Sequence, residues 1–176
     1  MIYCRECGKE LPDTAQFCSD CGAQQGDAKA WYRLGTKYYN GDGVPQDYDM
    51  ARQLFEKAAA QGNADAQNDL GVLYAHGKGV PQDYDMARQW YEKAAAQGNA
   101  YAQNDLGVMY YNGNGVPQDY DKARQWYEKA AAQGNAYAQN NLGILYAQGN
   151  IKAAIGILGL QISNVIFNLA KRFPKR

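Results

Sequence analysis

The chain is poor in the side chains that carry acid–base and nucleophilic chemistry. Its 176 residues include one histidine, His76, and serine occurs only at Ser19 and Ser163. No G-x-S-x-G, H-E-x-x-H or G-x-x-x-x-G-K-[ST] pattern occurs, so no nucleophile, base and orienting group come together in a known spacing. An enzyme is not expected. Neither charge is in excess, since 18 basic and 18 acidic residues leave a formal net charge of zero. Cysteine is missing after Cys21, which excludes disulfides as the staples of the body of the chain. No charged and apolar leader fits before Cys4, and a cytoplasmic location is the expectation.

The zero net charge hides an uneven distribution. Residues 1–26 set Arg5 and Lys9 against Glu6, Glu10, Asp13 and Asp20, a net of −2, whereas 151–176 carry Lys152, Lys171, Arg172, Lys175 and Arg176 with no acid. The middle is therefore acidic, at −3. An acidic body with a basic tail does not match a nucleic-acid footprint, in which basic side chains line the folded surface.

The cysteines that are present form two copies of one device, Cys4-Arg5-Glu6-Cys7-Gly8 and Cys18-Ser19-Asp20-Cys21-Gly22. Two intervening residues let both sulfurs of a pair reach one ion across a tight turn. The following glycine permits the left-handed backbone that aims N–H groups at the thiolates. Four thiolates at about 2.3 Å from a tetrahedral ion describe one structural Zn2+ with no open coordination position. A reversible dithiol switch is the alternative chemistry. Leu11-Pro12-Asp13 lies in a turn-rich connection suited to a short β-hairpin. These four cysteines and two glycines resemble the zinc-ribbon family over residues 1–24, with 25–27 as linker. The resemblance permits nucleic-acid binding. Four thiolates around Zn2+ add about −2 to an already acidic segment, which instead favours a protein contact.

After the linker, one text of 36 residues is written repeatedly. Asn-Ala-x-Ala-Gln-Asn opens at Asn63, Asn99 and Asn135, and residues 64–99 and 100–135 agree at 30 of 36 positions. A period of this length denotes stacked helix pairs, none able to bury its apolar face alone. Ala66, Leu70, Leu73 and Tyr74 mark one stripe, and Ala87, Trp90, Tyr91, Ala94 and Ala95 a second. Asn63 and Asp83 are placed to cap the two helices, and Gly77 and Gly98 to stop them. The acids at Asp47 and Asp49, and at equivalent positions, read as cap and first-turn residues rather than a catalytic pair. Gly71, Ala87 and Ala94 let neighbouring helices approach.

Ala66-Gln67-Asn68-Asp69-Leu70-Gly71-Val72-Leu73-Tyr74, Gly77-Lys78-Gly79-Val80 and Ala87-Arg88-Gln89-Trp90-Tyr91-Glu92-Lys93-Ala94-Ala95 resemble Sel1-like repeats, relatives of the tetratricopeptide repeat. The resemblance covers 28–150, with units 28–63, 64–99, 100–135 and a partial 136–150. It implies a mainly α solenoid and a non-enzymatic adaptor holding a protein or peptide on its concave face. A secreted branch with cysteine pairs inside each repeat is linked to penicillin binding; those cysteines are missing here, and the activity is not carried over. Trp31, Arg33 and Lys37 replace Gln67, Asp69 and Leu73 of the next unit, so the first unit reads as an N-terminal cap.

Positions that differ between near-identical units can individualise a surface. The columns Lys29/Asp65/Tyr101/Tyr137, Tyr39/Ala75/Tyr111/Ala147 and Asn40/His76/Asn112/Gln148 single out Tyr39, Tyr101, Tyr111, Asn112 and Tyr137, with Asn104 and Asn140 alongside, as candidate partner contacts. Packing between repeats is the other reading of the same tyrosines. His76, lacking a ligating or catalytic neighbour in motif spacing, reads as a solvated loop residue.

The repeat register ends at Asn150. Ile151, Ile155, Leu158, Ile162, Val165, Ile166 and Leu169 follow helical spacing, so 151–176 reads as an amphipathic helix capping the solenoid, with a basic tail. Its 18 uncharged residues from Ala153 to Ala170 just reach spanning length, but Gln161, Asn164 and Asn168 on one face favour an interfacial helix. Leu160, Phe167, Lys171 and Arg172 are the candidate membrane or self-association contacts, and a truncated fourth repeat is a further alternative. The readings beside the adaptor are a zinc- or redox-responsive regulator and a membrane-tethered scaffold.

Overall fold

The computed structural model describes residues 2–4, 8–11 and 27–149. Two short strands, β1 (Ile2–Tyr3) and β2 (Glu10–Leu11), pair antiparallel with Ile2 opposite Leu11. Six helices of 13 residues follow: α1 (Ala28–Asn40), α2 (Tyr48–Ala60), α3 (Ala64–His76), α4 (Tyr84–Ala96), α5 (Ala100–Asn112) and α6 (Tyr120–Ala132). Each is about 20 Å long at 1.5 Å per residue. A seventh, α7, is described over 136–149. The expected tail helix at 151–176 lies outside the described residues.

The caps fall where the sequence puts them. Asp47, Asp83 and Asp119 accept from the backbone N–H three residues on, each at 2.9 Å, opening the second helix of every pair. Asn63, Asn99 and Asn135 do the same for the first helices at 2.8–2.9 Å. Such caps are worth about 1 kcal/mol each. Gly41, Gly77 and Gly113 end the first helices in the left-handed region, at φ 81°, 65° and 77°. His76 differs slightly from expectation, being the exposed last residue of α3 rather than part of a loop.

Within each pair the helices are held close by a glycine facing a ring. A Cβ on Gly35 would lie 2.7 Å from Phe55, one on Gly107 would lie 2.5 Å from Tyr127, and Gly71 faces Tyr91 at least as tightly. The rings are themselves buried.

The apolar core is built between units. Ala51, Phe55 and Ala58 of α2 cluster with Ala66, Leu70 and Leu73 of α3, while Ala87, Tyr91 and Ala94 of α4 cluster with Ala102, Leu106 and Met109 of α5. Trp90 and Trp126 reach back onto the cluster before their own. Glutamine pairs stitch the same seams: exposed Gln97 donates to buried Gln67 at 2.7 Å, and Gln67 donates to the Ala59 carbonyl at 3.3 Å. This relay adds a second donor to a carbonyl at the end of α2 that already accepts from the Gly62 N–H at 2.9 Å. Gln133, Gln103 and Ala95 repeat it one unit later. In the first unit Trp31 stands in place of the glutamine and packs half-buried on the first cluster.

Gly107→Ala should destabilise the array by about 1 to 3 kcal/mol through overpacking. Gly143→Ala, where a Cβ meets nothing among the described residues, should be neutral or slightly stabilising. Thermal denaturation of the two variants checks the difference.

Candidate functional site

The first helices of neighbouring units touch directly, α3 against α5, and a groove runs along them. A cavity of about 150 Å³ lies there, lined by Val72, Ala75 and His76 of α3, Tyr84 and Tyr91 of α4, and Asp105, Val108 and Met109 of α5, with Asn114 at its rim. One unit further on, a cavity of about 240 Å³ is lined by Val108, Tyr111, Asn112, Tyr127, Asn141 and Ile144. Every one of these six lies 36 positions after a residue lining the first cavity. The groove thus has a periodic floor.

Its individuality is concentrated at the sites of divergence. Residues 64–99 and 100–135 differ at six positions, and four of them, represented by Ala75/Tyr111, His76/Asn112, Met109 and Asn114, line these cavities.

The candidate contacts do not form one strip. Tyr101 and Tyr137 are exposed, at 58% and 68%, in the first turns of α5 and α7. Tyr111 lies ten residues beyond Tyr101, about 15 Å along the same helix. It is half-buried, edge-on to Tyr120 at 5.4 Å, and its hydroxyl donates to Gln148 at 2.9 Å. Tyr39 is likewise half-buried between units, edge-on to Tyr48, with the Lys78 ammonium donating to its hydroxyl at 2.7 Å. Asn112 and Asn140 are exposed. Asn104 differs from expectation: it is buried, donating to Asp105 at 3.1 Å and accepting from Asn141 at 3.0 Å.

The sequence reading passed over the acids beside it. Asp69 and Asp105 are half-buried, one unit apart, and burial raises each carboxyl to about 6. Hydrogen bonds from Asn68 and Tyr32 oppose this at Asp69, and the Asn104 bond opposes it at Asp105; Asp65 and Asp69 respectively push the same way as burial. The signal was the column Arg33/Asp69/Asp105/Asn141, which changes charge at both ends of the array.

Of the four metal-ligand candidates, Cys7, Cys18 and Cys21 lie outside the described residues, as do Leu160, Phe167, Lys171 and Arg172. Cys4 is buried, and the Gly8 N–H donates to its carbonyl at 2.8 Å with Gly8 at φ +74°. That left-handed turn directly after the C-x-x-C pair fits a thiolate knuckle for zinc.

A family profile for the Sel1 repeat matches residues 28–63, 64–99, 100–135 and 136–154, and one for the zinc-ribbon domain matches 3–25. The chain is 46% identical to a protective antigen of uropathogenic Escherichia coli displaying an SLR fold (TM-score 0.66), over 69% of this chain and 26% of that one. It is 42% identical to a Sel1 repeat protein from Oxalobacter formigenes (TM-score 0.65; 69% and 50% covered) and 27% identical to Helicobacter pylori cysteine rich protein B (TM-score 0.56; 65% and 88% covered). It therefore spans about a quarter and a half of the length of the first two. The comparison with curated proteins gave no match.

A carboxyl raised from 3.8 to about 6 favours folding when protonated. That contribution is complete below about pH 4 and is lost as the pH rises through 6, at a cost of at most about 3 kcal/mol. The Tm advantage of Asp105→Asn over the unsubstituted chain should therefore grow from pH 4.5 to pH 7.5. Thermal scans at the two pH values measure it.

Proposed function

Since the chain belongs to the Sel1 repeat family, whose members are in general protein-interaction scaffolds, we propose that it is a non-enzymatic adaptor binding a protein or peptide segment in the groove along its first helices. The observation that carries this reading is the clustering of divergence. Packing demands are the same in units two and three, and yet four of their six differences line the groove cavities. Tyr111 and Asn112 give the second cavity a character the first lacks, while exposed Tyr101 and Tyr137 offer large area with a polar tip nearby. Asn104 stands behind the second cavity, bonded to its lining residue Asn141, while Tyr39 and the exposed Asn140 extend the candidate surface beyond the two cavities.

The zinc ribbon is the second contact module in this proposal, with one structural Zn2+ held by Cys4, Cys7, Cys18 and Cys21. The buried Cys4 and the left-handed Gly8 support it. Thiolate ligation needs a reducing compartment, and we place the protein in the cytoplasm on that ground. No described helix is long and apolar enough to cross a membrane.

Exchanging Tyr111-Asn112 for Ala-His gives the second cavity the Ala75 and His76 character of the first, with Asn141 and Ile144 still standing where the first has Asp105 and Val108. The set of proteins captured from lysate, quantified by mass spectrometry, should change while the helical circular-dichroism signal does not; an unchanged set refutes the groove reading. Purified protein should contain about one zinc per chain. Cys4→Ser with Cys7→Ser should lose it while the helical signal of the array persists, as read by elemental analysis and circular dichroism.

A further inference from the structure

A polar ladder runs along the groove from unit to unit, and one rung lacks a hydrogen. Tyr32 and Asn68 both serve Asp69, the latter at 3.3 Å. Asn104 serves Asp105 at 3.1 Å, and its own Oδ1 accepts from Asn141 at 3.0 Å. Shifted back by 36 residues, the last pair becomes Asp105 and Asn68. There the amide donor of Asn141 is replaced by a carboxylate, which when ionised only accepts. Asn68 Oδ1 is accordingly buried with no partner, in a residue only 8% exposed. Turning the amide over would not help, because its oxygen would then meet Asp69. An unsatisfied buried acceptor is costly, and native proteins seldom keep one without a use.

We propose that the cavity between α3, α4 and α5 is a pocket for a basic side chain of the partner segment, its aliphatic stem against Val72, Val108 and Met109 and its cationic head on the Asp105 carboxylate, the group that stands where a donor to Asn68 Oδ1 would be. This deepens the adaptor reading and rests on it. Space suits the assignment, since about 150 Å³ is close to the size of one long side chain. Charge suits it as well. Asp69 and His76 of α3, Tyr84 and Tyr91 of α4 and Tyr127 of α6 are the titratable groups around Asp105, Asp65 lies beyond them beside Asp69, and none of the causes acting on Asp69 or Asp105 is a cation. An ammonium brings three donors and a positive charge to the one carboxylate that lines the cavity, itself under the repulsion of Asp69. A proton on Asp105 supplies the same missing hydrogen and competes with the ligand.

The test is a titration of the full-length protein, followed by the side-chain amide signals of Asn68 and Asn104 in nitrogen-15 correlation spectra. The probe is the peptide acetyl-Gly-Ala-Lys-Ala-Gly-amide, with the same peptide carrying norleucine for lysine as comparison. At pH 7.5 the lysine peptide shifts both signals and the norleucine peptide does not. At pH 5 binding is about tenfold weaker, because a carboxyl titrating near 6 is then about nine-tenths protonated. Asp105→Asn recreates the arrangement of Asn141, so it keeps the fold, raises Tm by about 2 to 4 °C and abolishes the response. Equal shifts from both peptides, or a response that survives Asp105→Asn, overturn the proposal. So does a shift of the same signals, without peptide, when Lys171, Arg172, Lys175 and Arg176 are replaced by glutamine, which would assign the pocket to the chain's own tail. The Tyr111-Asn112 exchange concerns the neighbouring cavity, so failure here leaves that result, and the adaptor reading, standing.

Discussion

In each of the first three units a bare glycine backbone meets the Cδ1–Cε1 side of an aromatic ring twenty residues later, and the spacing of the helix pair follows from that contact. Gly35 with Phe55, Gly71 with Tyr91 and Gly107 with Tyr127 set how near α1 comes to α2, α3 to α4 and α5 to α6. Burying such a ring contributes roughly 1.5 to 3 kcal/mol by area, and the absent Cβ is what allows it in. With that distance fixed, Ala87 and Ala94 can face Ala102 and Leu106 across the next seam, and the glutamine relay can reach the end of the preceding helix. The groove is the other face of the same arrangement, since Tyr91 and Tyr127 each form one wall of a cavity.

Much of this was legible because the determinants are local and written several times. A cap at Asn63 or Asp83, a left-handed stop at Gly77 and a stripe through Leu70 and Leu73 need only a few neighbouring residues to be read. The fate of the tyrosines was not legible, because it depends on what lies one unit away. Tyr39 is claimed by Lys78 and Tyr111 by Gln148, partners 39 and 37 residues distant, whereas Tyr101 and Tyr137 stay exposed. Asn104 looked like a surface amide for the same reason, since the bond that buries it comes from Asn141. The acids at 69 and 105 escaped notice because they are identical in the two units where divergence was sought.

The two modules meet the stability problem at different sizes. A segment of about two dozen residues buries too little apolar surface to hold itself together, and metal ligation is the usual remedy at that size. The array needs no such clamp, since every added unit buries another seam. Packing and variation are also kept apart: the alanines and leucines of the seams barely vary between units two and three, while four of their six differences lie at the groove cavities.

Because each apolar cluster joins the second helix of one unit to the first helix of the next, the unit of packing is offset by half a period from the unit of text. Removing or inserting 36 residues within the two near-identical units, 64–135, restores the same junction on both sides. Chain length is consequently a free variable for such a molecule, able to grow or shrink by unequal exchange of coding sequence without any fresh solution to the problem of filling space.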